Sequence, residues 1–191
     1  MRVVTFDIET ANWMSETGSS DPADLKIAIV CTHDSETGLY QSFLENELPA
    51  LWKILEQTDI LVGSNSDHFD IPLLNKYYPG DLTRIKSLDL MKEIHTSIGR
   101  RLKLDSIAEG TLGMKKSASG SQSLQWWCAG EVDKVRQYCL KDVEITRKIY
   151  DHALKHGLVR FRDLGSTVDV KLNTSKWLTP STGAMTFTMG F

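Results

Sequence analysis

Two acidic residues stand two positions apart in an otherwise apolar stretch near the start of the chain. The segment VVTFDIETAN, residues 3–12, has the character of a buried strand and contains Asp7 and Glu9. Alternate residues of a strand share a face, so both carboxylates lie on one side, with Cα atoms about 6.8 Å apart at a rise of about 3.4 Å per residue. Both acids can therefore reach one point above the sheet. The alternative is that the strand ends here and Glu9 already lies in solvent.

A third acid falls on the apolar stripe of a long helix. The pattern predicts a helix over residues 131–155 that ends at Gly157. Asp142 lies on its apolar face between Cys139 and Ile145, and Tyr138 projects from nearly the same side one turn earlier. A core-facing aspartate is also compatible with a hydrogen-bonded structural acid, and Tyr138 and Cys139 with core packing.

A fourth acid lies in GSNSDHFDIPLL, where Asn65 and Asp70 bracket a predicted strand-to-helix turn. This segment has a structural explanation of its own, because Asp67 can cap the helix and Asp70 suits the positive end of the helix dipole.

The chemistry of these acids depends on whether their carboxylates converge in space. Two carboxylates about 4 Å apart repel by about 4 kcal/mol at an effective dielectric near 20, unless one is protonated or a cation lies between them. Oxygen ligands without histidine or cysteine favour Mg²⁺ or Mn²⁺ over zinc. Two such ions about 3.5–4 Å apart suit in-line displacement at phosphorus, which is phosphodiester hydrolysis.

The elements that position these residues are predicted from hydrophobic periodicity. Hairpin-like strands come first and strand–helix alternation follows, which predicts an α/β fold with a mixed sheet and helices on its faces. The segment KKSASGSQS is predicted to be a loop by composition. LVRFRD and TVDVKLN alternate as in a C-terminal β-hairpin.

Composition sets broad limits. With 191 residues and 41% hydrophobic residues, the chain fits one domain with a substantial core. The net charge of −3 gives no sign of a nucleic-acid binder, although cations held by acids would change the charge that a ligand meets. Three cysteines without CxxC spacing favour a reducing compartment. No signal-peptide pattern is visible and the longest apolar run is short, so we expect a cytoplasmic protein without membrane contact.

The ordered set FDIET, NSDHFD and YCLKD resembles the three motifs of the DEDD superfamily of 3′→5′ exonucleases, which has a ribonuclease H-like fold. Tyr138, four residues before Asp142, resembles the DEDDy branch, since the histidine branch carries His one position earlier, where this chain has Gln137. The resemblance covers roughly residues 1–155. SLDLM and LKLDSIAEGTLG also resemble the stand-alone ribonuclease H-like exonucleases predicted in microbes.

The resemblance implies a ribonuclease H-like fold with a five-stranded mixed sheet, 3′→5′ polarity and two Mg²⁺ or Mn²⁺ ions. It implies that Asp7, Glu9, Asp70 and Asp142 hold the ions and that Tyr138 orients the nucleophile. A phenol of pKa near 10 is a poor base at neutral pH, so orientation is the better role. Substrate contacts are predicted for the following residues: Asn65, Phe69 and Thr10 in the motifs, and Lys115 and Lys116 in MKKS.

The sequence therefore predicts an exonuclease domain over residues 1–157, with the hairpin and tail of 158–191 packed on it. We expect a two-metal 3′→5′ exonuclease acting on single-stranded ends, with DNA slightly favoured and a helicase or repair protein as a possible partner. An RNA-trimming enzyme is one alternative. A non-catalytic domain that binds nucleic acid or a partner protein is the other.

Overall fold

A computed structural model describes residues 1–114, 119–163 and 165–179. The strands of the described chain are β1 (Val3–Thr10), β2 (Ile27–Asp34), β3 (Tyr40–Leu44), β4 (Ile60–Gly63), β5 (Lys86–Asp89), β6 (Leu158–Asp163) and β7 (Ser166–Lys171). The helices are α1 (Leu48–Leu55), α2 (Asp70–Asn75), α3 (Leu90–Ile98), α4 (Leu104–Leu112), α5 (Gly120–Cys128) and α6 (Val132–His156).

The first five strands form one sheet in the order β3-β2-β1-β4-β5. β1 pairs antiparallel with β2, and β2 with β3, whereas β1–β4 and β4–β5 are parallel. β6 and β7 form a separate antiparallel hairpin. The predicted α/β fold, with a five-stranded mixed sheet and a small C-terminal hairpin, is confirmed. β1 lies at the centre of the sheet, but β4 pairs only with Val3–Thr5, so Asp7 and Glu9 extend beyond the end of β4 and pair with β2 alone.

The two faces of β1 meet different partners, as its alternation predicts. Val4, Phe6 and Ile8 belong to an apolar cluster with residues of α1 and α2. The opposite face, which carries Asp7 and Glu9, lies beneath α6, because Ile29 and Cys31 of β2 pair with these residues and pack against α6.

Helix α6 ends as its sequence predicts, with Gly157 in the left-handed conformation at φ 67°. Val135, Cys139 and Val143, spaced by four, pack against β2. This spacing fixes one side of the helix to the sheet. Asp142, one residue before Val143, is buried at the edge of this contact with 4% of its surface exposed.

The hairpin packs on the main sheet's core. Val159, Phe161 and Val170 belong to the same apolar cluster as Ile60 and Val62 of β4. The approach of α4 to β6 is close: a Cβ on Gly110 would lie 2.5 Å from the Cα of Phe161. Glycine is therefore the residue that this packing admits. The boundary at residue 157 stays a prediction, and residues 180–191 lie outside the described part.

The predicted KKSASGSQS loop is wrong from residue 120 onward, where a helix begins, and its residues 115–118 lie outside the described part of the chain. Ser119 caps α5 by accepting a hydrogen bond from the backbone N–H of Gln122, and the helix then continues to Cys128. Leu124 is buried. Glycine and serine composition favours loops, but here a cap and tertiary packing outweigh it.

An ion pair ties the start of β1 to the end of β2. Arg2 donates from Nε and Nη2 to the two carboxylate oxygens of Asp34, at 3.2 and 2.7 Å. Burial by itself would raise the pKa of Asp34, but hydrogen bonds from Arg2, the backbone N–H of Glu36 and Thr37 outweigh it, and the net pKa is lowered.

Among the helices in the described ranges, none combines the length and apolar character needed to cross a membrane.

Candidate active site

Three carboxylates converge where β1 meets α6. Asp7, Glu9 and Asp142 each offer one oxygen, and these oxygens all lie within 4.8 Å of one another. Glu9 and Asp142 have 9% and 4% of their surface exposed, and Asp7 is half-buried. Acids this close and this shielded repel strongly without a cation. The structure therefore brings together residues that lie more than a hundred positions apart in sequence.

A β-bulge lies beside the acids. Glu9 pairs with Ile29, but Thr10 pairs with Ile27, so Ala28 is an extra residue on β2. Bulges bend a strand and re-aim its side chains, and they are common next to active sites. This bulge marks the point at which β1 leaves the regular ladder, directly after its second acid.

Asp70 stands apart from the three-acid group. It begins α2, has 4% of its surface exposed, and its Oδ1 accepts a hydrogen bond at 3.1 Å from the backbone N–H of Ile8. Ile8 lies between Asp7 and Glu9, so this bond anchors Asp70 beside the acid pair. The role of Asp70 as a metal ligand stays a prediction.

The environment of Asp70 disfavours its charge. Burial raises the pKa of Asp70 to about 7; bonds from its own backbone N–H and that of Ile8 lower the pKa, and the charge of Asp89 raises it. Without a cation nearby, burial therefore favours the neutral form of this carboxyl far more than for an exposed aspartate.

Two of the acids, Glu9 and Asp142, border an open cleft of about 350 Å³. Glu9, Tyr138 and Asp142 line one part of it. The remaining wall consists of Ile8, Thr10, Asn12, Trp13, Met14, Leu25, Phe69, Gly120, Ser121 and Leu124. The ring of Tyr138 contacts that of Trp126 edge-on, with centroids 6.2 Å apart. Tyr138 therefore lies at the cleft with Asp142, one turn further along α6.

Sequence reasoning predicted Phe69 as a substrate contact but missed Trp13 on the same aromatic side of this cleft. Trp13 has 38% of its surface exposed, which is high for a tryptophan, and it lines the cleft together with Phe69. The available signal was a tryptophan in the polar stretch directly after FDIET.

The predicted substrate contacts divide into three groups. Thr10 and Phe69 line the cleft, and the Thr10 hydroxyl donates to the carbonyl oxygen of Asn12 at 3.3 Å. Asn65 instead lines a neighbouring pocket of about 330 Å³. Lys115 and Lys116 lie outside the described residues. All five contacts stay predictions.

One carboxylate organises the turn before α2. Asp89 accepts hydrogen bonds from the backbone N–H groups of Asn65 and Asp67, at 2.8 and 3.2 Å. It also caps α3 by accepting hydrogen bonds from the backbone N–H groups of Met91 and Lys92, at 2.9 and 3.3 Å. These bonds hold Asn65 in the left-handed conformation, at φ 66°.

Asp67 does not cap α2. Its carboxylate accepts hydrogen bonds from Ser87 and Lys92, at 2.5 and 2.7 Å, and α2 begins three residues later. The interpretation of Asp67 as a cap is therefore wrong, because its side chain turns toward β5 and α3.

Cys139 contacts Asp7 from the interface between α6 and the sheet. It is fully buried, as predicted, and its Sγ lies 3.4 Å from the carbonyl oxygen of Asp7 and 3.7 Å from Oδ2 of the same residue. Burial raises the pKa of the Cys139 thiol well above its ordinary value, and neighbouring Cys31 and the acids raise it further. Cys139 is therefore a neutral thiol that donates to Asp7.

The residues fit hard divalent cations. The converging ligands are all carboxylate oxygens, which Mg²⁺ and Mn²⁺ prefer, and soft ligands are absent from the three-acid group. Burial raises the pKa of the Cys139 thiol, which favours its neutral form in the cation-free site. Asp7, Glu9 and Asp142 are thus the residues that would hold a cation, with Asp70 beside them.

A central strand with two acids, covered by a helix with a third, defines an RNase H-like α/β domain. The chain belongs to the RNase_H_2 family of the RNase H superfamily, whose sequence profile matches residues 4–154. This membership agrees with the resemblance found in the motifs.

Comparison with solved structures gives the same fold. The chain is similar to the family B DNA polymerase from the hyperthermophilic archaeon Pyrobaculum calidifontis, with a TM-score of 0.63 and 22% sequence identity. The match covers 80% of this chain and 24% of the polymerase. At this identity the likeness concerns the fold. A search of curated proteins gave no match.

Proposed function

We propose that the protein is a nuclease of the two-metal type that removes nucleotides in the 3′→5′ direction from single-stranded ends, with DNA slightly favoured over RNA. The observation that carries this proposal is the convergence of Asp7, Glu9 and Asp142 within 4.8 Å at the edge of an open cleft. Such a cluster suits divalent cations and phosphodiester hydrolysis.

The comparisons support the coarser part of the proposal. Membership of the RNase H superfamily and a fold shared with a DNA polymerase support nuclease activity on nucleic acid. The chain spans only about a quarter of that polymerase, so the activities of the whole polymerase are not transferred. The DEDDy assignment and the polarity depend on the resemblance of the three motifs.

The roles follow from position. Asp7, Glu9, Asp142 and Asp70 would hold two Mg²⁺ or Mn²⁺ ions. When bound, such ions offset carboxylate charge, polarise the phosphodiester and make water a better nucleophile. Tyr138 borders the same cleft as Asp142, and its phenol would orient the attacking water by a hydrogen bond.

The cleft wall supports a single-stranded substrate. Trp13 and Phe69 offer aromatic surfaces beside Glu9, and a base can stack on such surfaces once it leaves its own helix. Bases in a duplex are already stacked and paired, so a frayed or single-stranded end fits the cleft better. Stacking tolerates both sugars, so this wall by itself does not distinguish DNA from RNA.

The decisive experiment is hydrolysis of oligonucleotides labelled at either end. We expect a 5′-labelled single strand to shorten one nucleotide at a time, and a 3′-labelled strand to release its labelled nucleotide at once. Activity should require Mn²⁺ or Mg²⁺ and stop with a chelator. Asp142→Asn is the inactive control.

Matched DNA and RNA, single- and double-stranded, test the alternatives. Faster loss of RNA would favour the RNA-trimming enzyme. Binding of oligonucleotide without hydrolysis under any metal condition, by a folded protein, would favour the non-catalytic domain and contradict the proposed function. The same binding assay can include candidate helicase or repair partners.

A further inference from the structure

A buried thiol lies against one of the proposed metal ligands. We propose that Cys139 is a positioning residue: its thiol holds Asp7 in the orientation that cation binding needs. This inference rests on the proposed function, since it concerns the same carboxylates. It assigns Cys139 a task beyond filling the interface between α6 and the sheet.

The contact joins two elements that must be kept in register. Sγ of Cys139 lies 3.4 Å from the carbonyl oxygen of Asp7 and 3.7 Å from its Oδ2, so the thiol bridges the backbone and the side chain of one residue. A donor between these two oxygens restricts rotation of the carboxylate about its side-chain bonds.

Because Cys139 lies on α6, its contact with Asp7 also affects the distance between Asp7 and Asp142. Cys139 and Asp142 are three residues apart on the helix, so their side chains are neighbours. A residue of α6 that hydrogen-bonds to Asp7 therefore also fixes the distance between Asp7 and Asp142. The cluster depends on this distance, because one ligand comes from the strand and the other from the helix.

A thiol has the chemistry for this task. A lysine or arginine here would neutralise the acids and compete with a cation. A thiol is a weak, neutral donor with a long reach, so Asp7 keeps its negative charge while its orientation is limited. Removing a group that hydrogen-bonds to a metal ligand, without itself binding the metal, lowers metal affinity by about 10- to 100-fold.

The molecule contains a matched control. Cys31 is also fully buried and lies in the same apolar cluster as Cys139. Its Sγ lies 4.0 Å from the carbonyl oxygen of Arg136, and Cys31 is also the cross-strand partner of Asp7 and a hydrogen-bond neighbour of the Cys139 thiol. Cys31→Ala thus removes a thiol from the same interface but keeps the Cys139 thiol that contacts Asp7.

The experiment measures Mn²⁺ affinity by calorimetry for the full chain and the variants Cys139→Ala, Cys139→Ser and Cys31→Ala. We expect Cys139→Ala to weaken Mn²⁺ binding at least about tenfold. Cys139→Ser keeps a donor and should recover most of the affinity. Cys31→Ala should bind close to the parent, although both alanine variants lose thermal stability. If Cys139→Ala does not fold, Cys139→Val fills the space without a donor and should show the same weakening.

The outcomes separate this inference from the proposed function. A folded parent that neither binds Mn²⁺ nor cleaves oligonucleotides contradicts the proposed function, and the role of Cys139 with it. A parent that binds and cleaves, with an unchanged affinity in the folded alanine or valine variant, overturns the positioning role alone. An equal loss in Cys31→Ala also overturns it, since packing would then be the cause.

Discussion

Asp142 is the most direct place to test the three-acid cluster, because asparagine keeps its shape and removes its charge. The oxygens of Asp7, Glu9 and Asp142 lie within 4.8 Å of one another. At that distance each pair repels by about 0.9 kcal/mol at the dielectric of water and by about 3.5 kcal/mol at an effective dielectric of 20. Asp142→Asn relieves two such pairs, which gives a range of about 2 to 7 kcal/mol.

The lower end of this range is the minimum, because Asp7 is half-buried and water screens its charge, whereas Glu9 is more shielded. We therefore expect metal-free Asp142→Asn to gain at least about 2 kcal/mol in free energy of unfolding. For a domain of this size, that corresponds to a melting temperature about 4–8 °C higher. The same variant should lose hydrolysis, since one ligand is missing.

The assay is thermal unfolding followed by circular dichroism, with chelator and then with saturating Mn²⁺. Mn²⁺ at a hundred times its dissociation constant should stabilise the parent by about 2.7 kcal/mol, and Asp142→Asn far less. Asp133→Asn is the control, because Asp133 lies on the same helix with a side chain that is 95% exposed. A metal-free Asp142→Asn protein that melts below the parent, or that responds to Mn²⁺ as the parent does, would refute the reasoning.

Further predictions concern other parts of the molecule. Tyr138→Phe should slow turnover without weakening Mn²⁺ binding, and equal rates would remove the phenol from the mechanism. Trp13→Ala should raise KM for single-stranded substrate about tenfold, within the 1–3 kcal/mol that stacking on an aromatic ring contributes; an unchanged KM would exclude stacking. Gly110→Ala should lower the free energy of unfolding by about 1–3 kcal/mol, because the added Cβ meets backbone atoms. Gly120→Ala should not, because its added Cβ has nothing within 4 Å. Calorimetric melting compares the two variants. Asp34→Asn should lower the free energy of unfolding by about 1–3 kcal/mol at neutral pH. Because the pKa of Asp34 is lowered from 3.8, the parent should lose this advantage only as the pH falls below about 4. Urea titrations of both proteins at several pH values measure the difference.

The sequence predicts the parts of this fold that depend on periodicity. Alternation in residues 3–10 gives both faces of β1, and the four-residue spacing around Cys139 gives the buried side of α6. Glycine at position 157 gives the end of α6. Each of these signals is local, so a few neighbouring residues contain it.

The remaining features depend on contacts between distant residues. Ser119 begins a helix where composition indicates a loop, because Leu124 finds a buried place. The bond from Ile8 to Asp70 and the thiol contact to Asp7 join residues 62 and 132 positions apart. Periodicity predicts which side of an element is buried, but it does not identify the atoms met there.

The carboxylate of Asp89 has a consequence for motion in this molecule. Its four bonds to backbone N–H groups join the turn after β4 to the first turn of α3. Neither segment can open without breaking bonds that also hold the other, so the two should unfold locally as one cooperative unit. Asp70 follows this turn directly, so the bonds that fix the turn also limit the motion of Asp70. The second motif is therefore held in place from the neighbouring strand, and a change in β5 or α3 can reach the site without touching it.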